Sequence, residues 1–236
     1  ANEGDDLWIA EGTYASSGGM GQTGFLRLKA GINLYGGFGG SETTIEERDW
    51  RAHITVISAD LGTTGDTGDN AFHALYGATG VTLDGFILSG GQALMGNEVT
   101  GGGLYVPLNA TMTVRNCVFR DNAAVNGGGA GLGANASARF VNCVFADNTA
   151  TLRGGGAYAS QANVSFAGCL FADNEAAVNG GGLATISADP FGIVHCTFSG
   201  NRANYRGGGF SADSGGAIAI RNSLFWGNSA DIEGNE

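Results

Sequence analysis

Hydrophobic and polar positions along this chain follow no helical period; they recur in blocks of 26–27 residues. Triple glycines begin at Gly101, Gly127, Gly154, Gly180 and Gly207. A small thiol or hydroxyl residue follows at Cys117, Cys143, Cys169, Cys196 and Ser223, and two residues later comes Phe119, Phe145, Phe171, Phe198 or Phe225. Three residues further on stands Asn122, Asn148, Asn174, Asn201 or Asn228. Self-similarity at such a period is the mark of a repeat architecture.

Within a block, an apolar residue precedes the thiol by three: Val114, Phe140, Phe166, Ile193, Ile220. Side chains alternate faces along a strand, so an odd offset between two inward residues requires a corner between them. The residues available for that corner are Asn116, Asn142, Gly168, His195 and Asn222, mostly types that tolerate left-handed backbone. The asparagine after the phenylalanine marks a second corner and the glycine triplet a third. Each block therefore reads as one rung of three short strands. A rung cannot bury its apolar face alone, but stacking the next rung on it does so. Identical residues then lie about 4.8 Å apart, Phe on Phe and Asn on Asn. The fold class predicted is all-β, a parallel β-helix.

The register weakens upstream without vanishing. Leu83, Phe86 and Leu88 reproduce the offsets of Val114, Cys117 and Phe119, with Gly91 at the asparagine position, and a longer loop runs over 90–100. The runs "LWIAEGTY", "FLRLKAGINLYGGF" and "ITVISAD" read as irregular first rungs, and "SETTIEERDW" (41–50) as an excursion or short helical turn with a capping signature. A single domain over 1–236 is expected, with irregular rungs in 1–100 and five regular ones in 101–236. Eight or nine rungs would make a rod about 40 Å long.

Composition narrows the function. There are 44 glycines but only 2 prolines, with 13 phenylalanines and 43% hydrophobic residues, so the glycines punctuate an ordered fold. The 11 Lys and Arg against 22 Asp and Glu, with Lys29 the lone lysine, argue against nucleic acid and against an anionic membrane surface as partners. No apolar run approaches the roughly 18 residues that span a bilayer, so membrane insertion of this segment is not expected.

The repeats "FRDN", "FADN", "FSGN" and "FWGN", each tied to a glycine cluster, and "GGAI" at 215–218 resemble those of polymorphic outer-membrane proteins, autotransported surface proteins of bacteria. The N-terminal "LWIAEGTY…LYGGFGGSETTIEERDW…ITVISAD" is similar to the opening of large secreted bacterial proteins of the pectin-lyase-like superfamily. The resemblance implies a right-handed helix and a secreted or cell-surface location, reached by an export signal not present in this chain. It does not imply one activity, since that superfamily holds lyases, hydrolases, adhesins and scaffolds.

Candidate chemistry is sparse. The four cysteines lie one per rung without paired spacing, which points to buried free thiols acting as small core residues. In the loop "SADLGTTGDTGDN" (58–70), Asp60, Asp66 and Asp69 offer oxygen ligands of the kind Ca²⁺ takes, although the alternation of an EF-hand is missing. No other cofactor is expected. Arg153 and Arg206 precede alternate glycine triplets, with Asn126 and Asn179 between, a line able to grip an acidic sugar. His53, His73 and His195 are scattered, and Thr111, Thr113, Thr149, Thr151, Thr185 and Thr197 share no ladder position. The expectation is a non-enzymatic scaffold, adhesin-like passenger or self-assembling fibre subunit, binding a glycan or cell-surface ligand. The alternative is a carbohydrate-active enzyme, a polysaccharide lyase or glycoside hydrolase, with its site in 41–100. Solenoid ends expose strand edges, so head-to-tail self-association is a further expectation, which the acidic Asp231, Glu233 and Glu236 would oppose.

Overall fold

The computed structural model describes residues 1–15, 21–96, 99–188, 191–215 and 217–231. It is a right-handed parallel β-solenoid of about eight turns. One regular rung runs through Leu104–Val106, Thr111–Arg115, Val118–Arg120 and Ala123–Asn126. Stacking each of these on its counterparts makes four sheets, called I to IV in that order, of 7, 8, 8 and 6 strands among the described residues. All pairings in the regular rungs are parallel, and the two core ladders run in register, Val114 on Phe140 on Phe166 on Ile193 on Ile220, and Phe119 on Phe145 on Phe171 on Phe198 on Phe225. In sheet IV the register shifts by one residue between Ala124 and Asn126.

Three strands per rung were expected and four are found, because sheet IV is short and was hidden between two corners. The corner before the thiol is where the sequence placed it, with Asn116, Asn142, Gly168, His195 and Asn222 at φ between 50° and 64°. The next corner turns one residue earlier than expected. Asp121, Asp147, Asp173, Gly200 and Gly227 take the left-handed conformation, which leaves the following asparagine free to point inward. A further corner, between sheets I and II, uses Asn109, Asn135, Gln161 and Ser187. At the glycine triplet, Gly127 has φ 67°, and a Cβ on Gly128 would stand 2.6 Å from the carbonyl oxygen of Gly155 on the next rung. The triplet is bare because the rungs touch backbone to backbone there.

The core is a set of ladders. Phe119, Phe145, Phe171, Phe198 and Phe225 stack with ring centroids 4.4–4.7 Å apart and planes within 7°. Phe140 and Phe166 form a parallel stack that meets the first edge-on, at 5.6 Å for Phe140 and Phe145. The asparagines make a second ladder: Asn122 Nδ2 donates to Asn148 Oδ1 (3.0 Å), Asn148 Nδ2 to Asn174 Oδ1 (3.0 Å), Asn174 Nδ2 to Asn201 Oδ1 (2.8 Å) and Asn201 Nδ2 to Asn228 Oδ1 (2.8 Å). Each amide also donates to a carbonyl of the preceding rung, as Asn148 does to Phe119 O. These side chains give the buried backbone its hydrogen bonds at a corner where strand pairing stops.

Upstream, Leu83 pairs with Val114 and Leu88 with Phe119, as the offsets implied. Gly91 N–H donates to Asn122 Oδ1 at 3.0 Å and so starts the asparagine ladder. The excursion over 41–50 contains a 3-10 turn, Ile45–Glu47, whose Glu47 carboxylate accepts from Thr43 N at 2.7 Å. Arg48 anchors the excursion to the rungs below, with Nη2 2.9 Å from Asp84 Oδ2 in a largely buried pair.

Candidate functional site

The four cysteines are free and buried. Each thiol donates to the carbonyl two residues back, for example Cys117 Sγ to Arg115 O at 3.1 Å and Cys143 Sγ to Val141 O at 3.4 Å. Ser223 Oγ makes the same bond to Arg221 O at 2.9 Å. The position therefore selects a small side chain that can donate across the corner, not small size alone. Burial pushes the Cys117 thiol up to about 12. The Cys169 thiol is also raised to about 12, first by its hydrogen bond with Cys143 and then by burial. Cys196 is raised chiefly by its bond to Cys169. These are inert core thiols.

The 41–100 region holds two dissimilar histidines. His53 Nδ1 lies 3.0 Å from Glu11 Oε2 on the surface, and that hydrogen bond raises the imidazole above its usual pKa. His73 is fully buried between aromatic rings, 4.8 Å from Phe25 and 5.6 Å from Tyr105. Among the described residues, no three His, Cys, Asp or Glu side chains gather as a metal centre. In the acidic loop, Asp66 Oδ1 accepts from Gly68 N at 2.9 Å on the exposed side. Asp60 and Asp69 turn inward, Asp60 Oδ2 to Gly65 N (3.1 Å) and Asp69 Oδ2 to Thr63 N (2.8 Å).

The Asn/Arg line is real. Thr100, Asn126, Arg153, Asn179 and Arg206 occupy successive rungs in bridge partnership. Asn179 is buried, with Nδ2 3.5 Å from Asp213 Oδ2, and Arg206 is exposed beside the Tyr205 hydroxyl at 3.2 Å.

A second polar surface escaped the sequence reading. On the outer face of sheet II, Thr82, Thr113, Arg139 and Ser165 form one axial row, and Thr111, Ser137 and Asn163 form a second beside it. Together they line a shallow groove of about 370 Å³. Alternate residues of the same strands (Val81, Met112, Ala138, Val164) point into the core, which holds the outward rows on a rigid floor. Among the described residues, the side chains of Thr113, Ser137, Arg139, Asn163 and Ser165 make no hydrogen bond within the protein. The groove thus offers hydroxyl, amide and guanidinium groups on a grid about 4.8 Å by 7 Å.

The sequence pattern described as the right-handed β-helix region matches residues 71–234, more than half of the chain. The chain belongs to the right-handed β-helix family. Among solved structures, two are similar to it. One is the pectin methylesterase from Aspergillus niger in deglycosylated form, 12% identical over 99% of this chain and 81% of that one, with a TM-score of 0.45. The other is the A-module of the Azotobacter vinelandii mannuronan C-5 epimerase AlgE4, 11% identical over 98% and 89%, with a TM-score of 0.28. At such values neither likeness bears on what this β-helix does. No curated protein sequence matches it significantly.

Proposed function

We propose that this β-helix is a non-enzymatic extracellular or cell-surface scaffold that binds an extended glycan along the groove on sheet II. The observation that carries the reading is the groove's uncommitted polar grid, in register over consecutive rungs. A glycan chain presents hydroxyls that both donate and accept, and an extended pyranose chain advances by close to one rung per sugar. Threonine and serine hydroxyls, the Asn163 amide and the Arg139 guanidinium are complementary to such a ligand. Arg139 adds a charge suited to a uronate or sulfated unit, as guanidinium pairs well with carboxylates. The bacterial and secreted assignment rests on the resemblance of the F-x-x-N and glycine repeats.

A glycan microarray with the purified chain tests the reading, accompanied by reducing-end and unsaturated-product assays on the bound glycans. Binding without turnover, weakened at least fivefold in Arg139→Ala, is the expected result. Turnover would replace the scaffold reading with the enzymatic one, and binding unaffected by Arg139→Ala would move the ligand elsewhere.

The last described rung favours a second role. Its ladder residues Ile218, Ile220 and Phe225 are 40–44% exposed, where their counterparts Phe191, Ile193 and Phe198 one rung earlier are buried, and Leu224 and Trp226 are 56% and 71% exposed. Apolar ladder positions of this kind accept another rung, which further chain or a second copy stacked head to tail would equally supply. Asp231 pairs with Arg202 beside this end, while Glu233 and Glu236 lie outside the described residues. Sedimentation velocity over a concentration series tests this role. Growth into uniform rods supports it, and a single concentration-independent species removes it.

A further inference from the structure

Six buried side-chain polar atoms lack a hydrogen-bond partner among the described residues, and they fall into two groups of three. Asn126 Oδ1, Arg153 Nε and Asn179 Oδ1 lie on one axial line, acceptor, donor, acceptor, and water or small rotations can pair them. Asp60 Oδ1, Asp69 Oδ1 and Asn70 Oδ1 are different: all are acceptors, two belong to carboxylates, and all come from one loop. A buried acceptor without a donor is costly, and such a group calls for an ion or water to explain it.

The loop's construction gathers these three residues. Ala71 N donates to Ala59 O at 2.9 Å, closing the neck, so Asp60 and Asn70 are the first and last residues of the loop and stand across from one another. A Cβ on Gly90 would lie 3.2 Å from Asp60 N and 3.5 Å from Asn70 Nδ2, so both residues pack against the same glycine. Asn70 is only 4% exposed, and its Nδ2 donates to Gly90 O at 2.8 Å. That bond fixes the amide orientation and leaves Oδ1 as the buried end that has no donor. The two carboxylates each commit Oδ2 to an amide of the same 63–65 turn, which leaves the Oδ1 atoms enclosed.

We propose that the 60–70 loop binds one hard divalent cation of the Ca²⁺ type through Asp60, Asp69 and Asn70, with loop carbonyls and water completing the shell. A water molecule has two protons for three acceptors and brings no charge to offset two carboxylates. A Ca²⁺ ion does both, and it accepts amide and carbonyl oxygens in the irregular geometry of a flexible loop. Asp66, part of the set expected from the sequence, caps Gly68 on the outside and is not a ligand. Two carboxylates make a weak site, with a Kd of about 10⁻⁴–10⁻³ M, in the range of extracellular calcium modules.

The test uses the full chain stripped with chelator and titrated by calorimetry with CaCl₂ or MgCl₂ at constant ionic strength, with thermal unfolding recorded in parallel. One Ca²⁺ per chain, preferred over Mg²⁺ and raising Tm, is expected. Asp69→Asn should weaken binding by about tenfold or more, and Asp66→Asn should leave it unchanged. Circular dichroism verifies folding of each variant, and Asn70→Ala replaces Asp69→Asn if that chain does not fold. Identical Tm in chelator and in millimolar Ca²⁺, with no Ca²⁺-specific heat, would mean that water alone meets these oxygens and would overturn the proposal. Equal weakening by Asp66→Asn and Asp69→Asn would overturn the ligand set.

Discussion

Replacing Asn148 by Ala removes one step of the internal asparagine ladder, and the structure gives the cost. Asn148 is fully buried. Its Oδ1 accepts from Asn122 N (3.2 Å) and Asn122 Nδ2 (3.0 Å), and its Nδ2 donates to Phe119 O (2.9 Å) and Asn174 Oδ1 (3.0 Å). Truncation leaves the Asn122 amide N–H and one Asn122 side-chain proton without partners, while the Phe119 carbonyl stays in the parallel ladder of sheet III. Asn174 Oδ1 keeps the Asn148 backbone N–H at 3.2 Å. Two orphaned buried donors at about 1–3 kcal/mol each, softened by water entering the vacated space, give a loss of about 2–4 kcal/mol. That is a large share of a typical domain's stability. Asn228→Ala deletes the equivalent bonds to Asn201 and Phe198 O. Asn228 is only partly buried, so water replaces part of what is lost and the expected cost is about 1–2 kcal/mol. Urea unfolding followed by circular dichroism measures both, with m-values compared to confirm that the transition stays cooperative. Equal losses in the two variants, or less than about 1 kcal/mol for Asn148→Ala, would refute the reasoning that buried ladder bonds are irreplaceable.

Two glycines make a second contrast: Gly128→Ala should cost more than about 2 kcal/mol because its Cβ meets backbone oxygen, whereas Gly192→Ala, with open space around it, should stabilise by about 0.5 kcal/mol. Thermal unfolding of both variants checks this. The thiols should be silent toward a disulfide reagent at pH 8 in the native chain and titrate as four in urea. Because Cys117, Cys169 and Cys196 are raised in the folded state, the unfolded chain loses those protons first. Stability should therefore hold below about pH 8.5 and fall as pH rises toward the folded values. The slope of urea midpoint against pH between 8 and 10 measures it, and Cys117→Ser should reduce it by removing one of the three contributors.

What the sequence made legible follows from what stacking demands. Inside the rod, each side chain packs on its own counterpart one rung away, so Phe119, Asn122 and Cys117 recur as the same residue type and reveal themselves. Corner positions are looser: Asn109, Asn135, Gln161 and Ser187 share a left-handed backbone but little chemistry, and that corner went unseen. Sheet IV includes strands only two residues long, Glu175–Ala176 and Arg202–Ala203, too short for an alternation to register. On the outside nothing enforces likeness. The groove row runs Thr82, Thr113, Arg139, Ser165, Gly192, five residues of four types, and one of them sits in the irregular half. The acidic loop was visible as composition, but Asn70 outranks Asp66 only once it is known which oxygens the loop amides have already taken.

Amide chemical-shift mapping of the labelled chain with an extended oligosaccharide taken from the microarray decides whether the sheet II groove holds the glycan. Shifts gathered on Thr82, Thr113, Arg139 and Ser165 and on their neighbours Thr111, Ser137 and Asn163 are the predicted result. Shifts gathered instead around Asn126, Arg153, Asn179 and Arg206, or none at saturating ligand, would contradict the assignment of the sheet II groove as the glycan-binding surface.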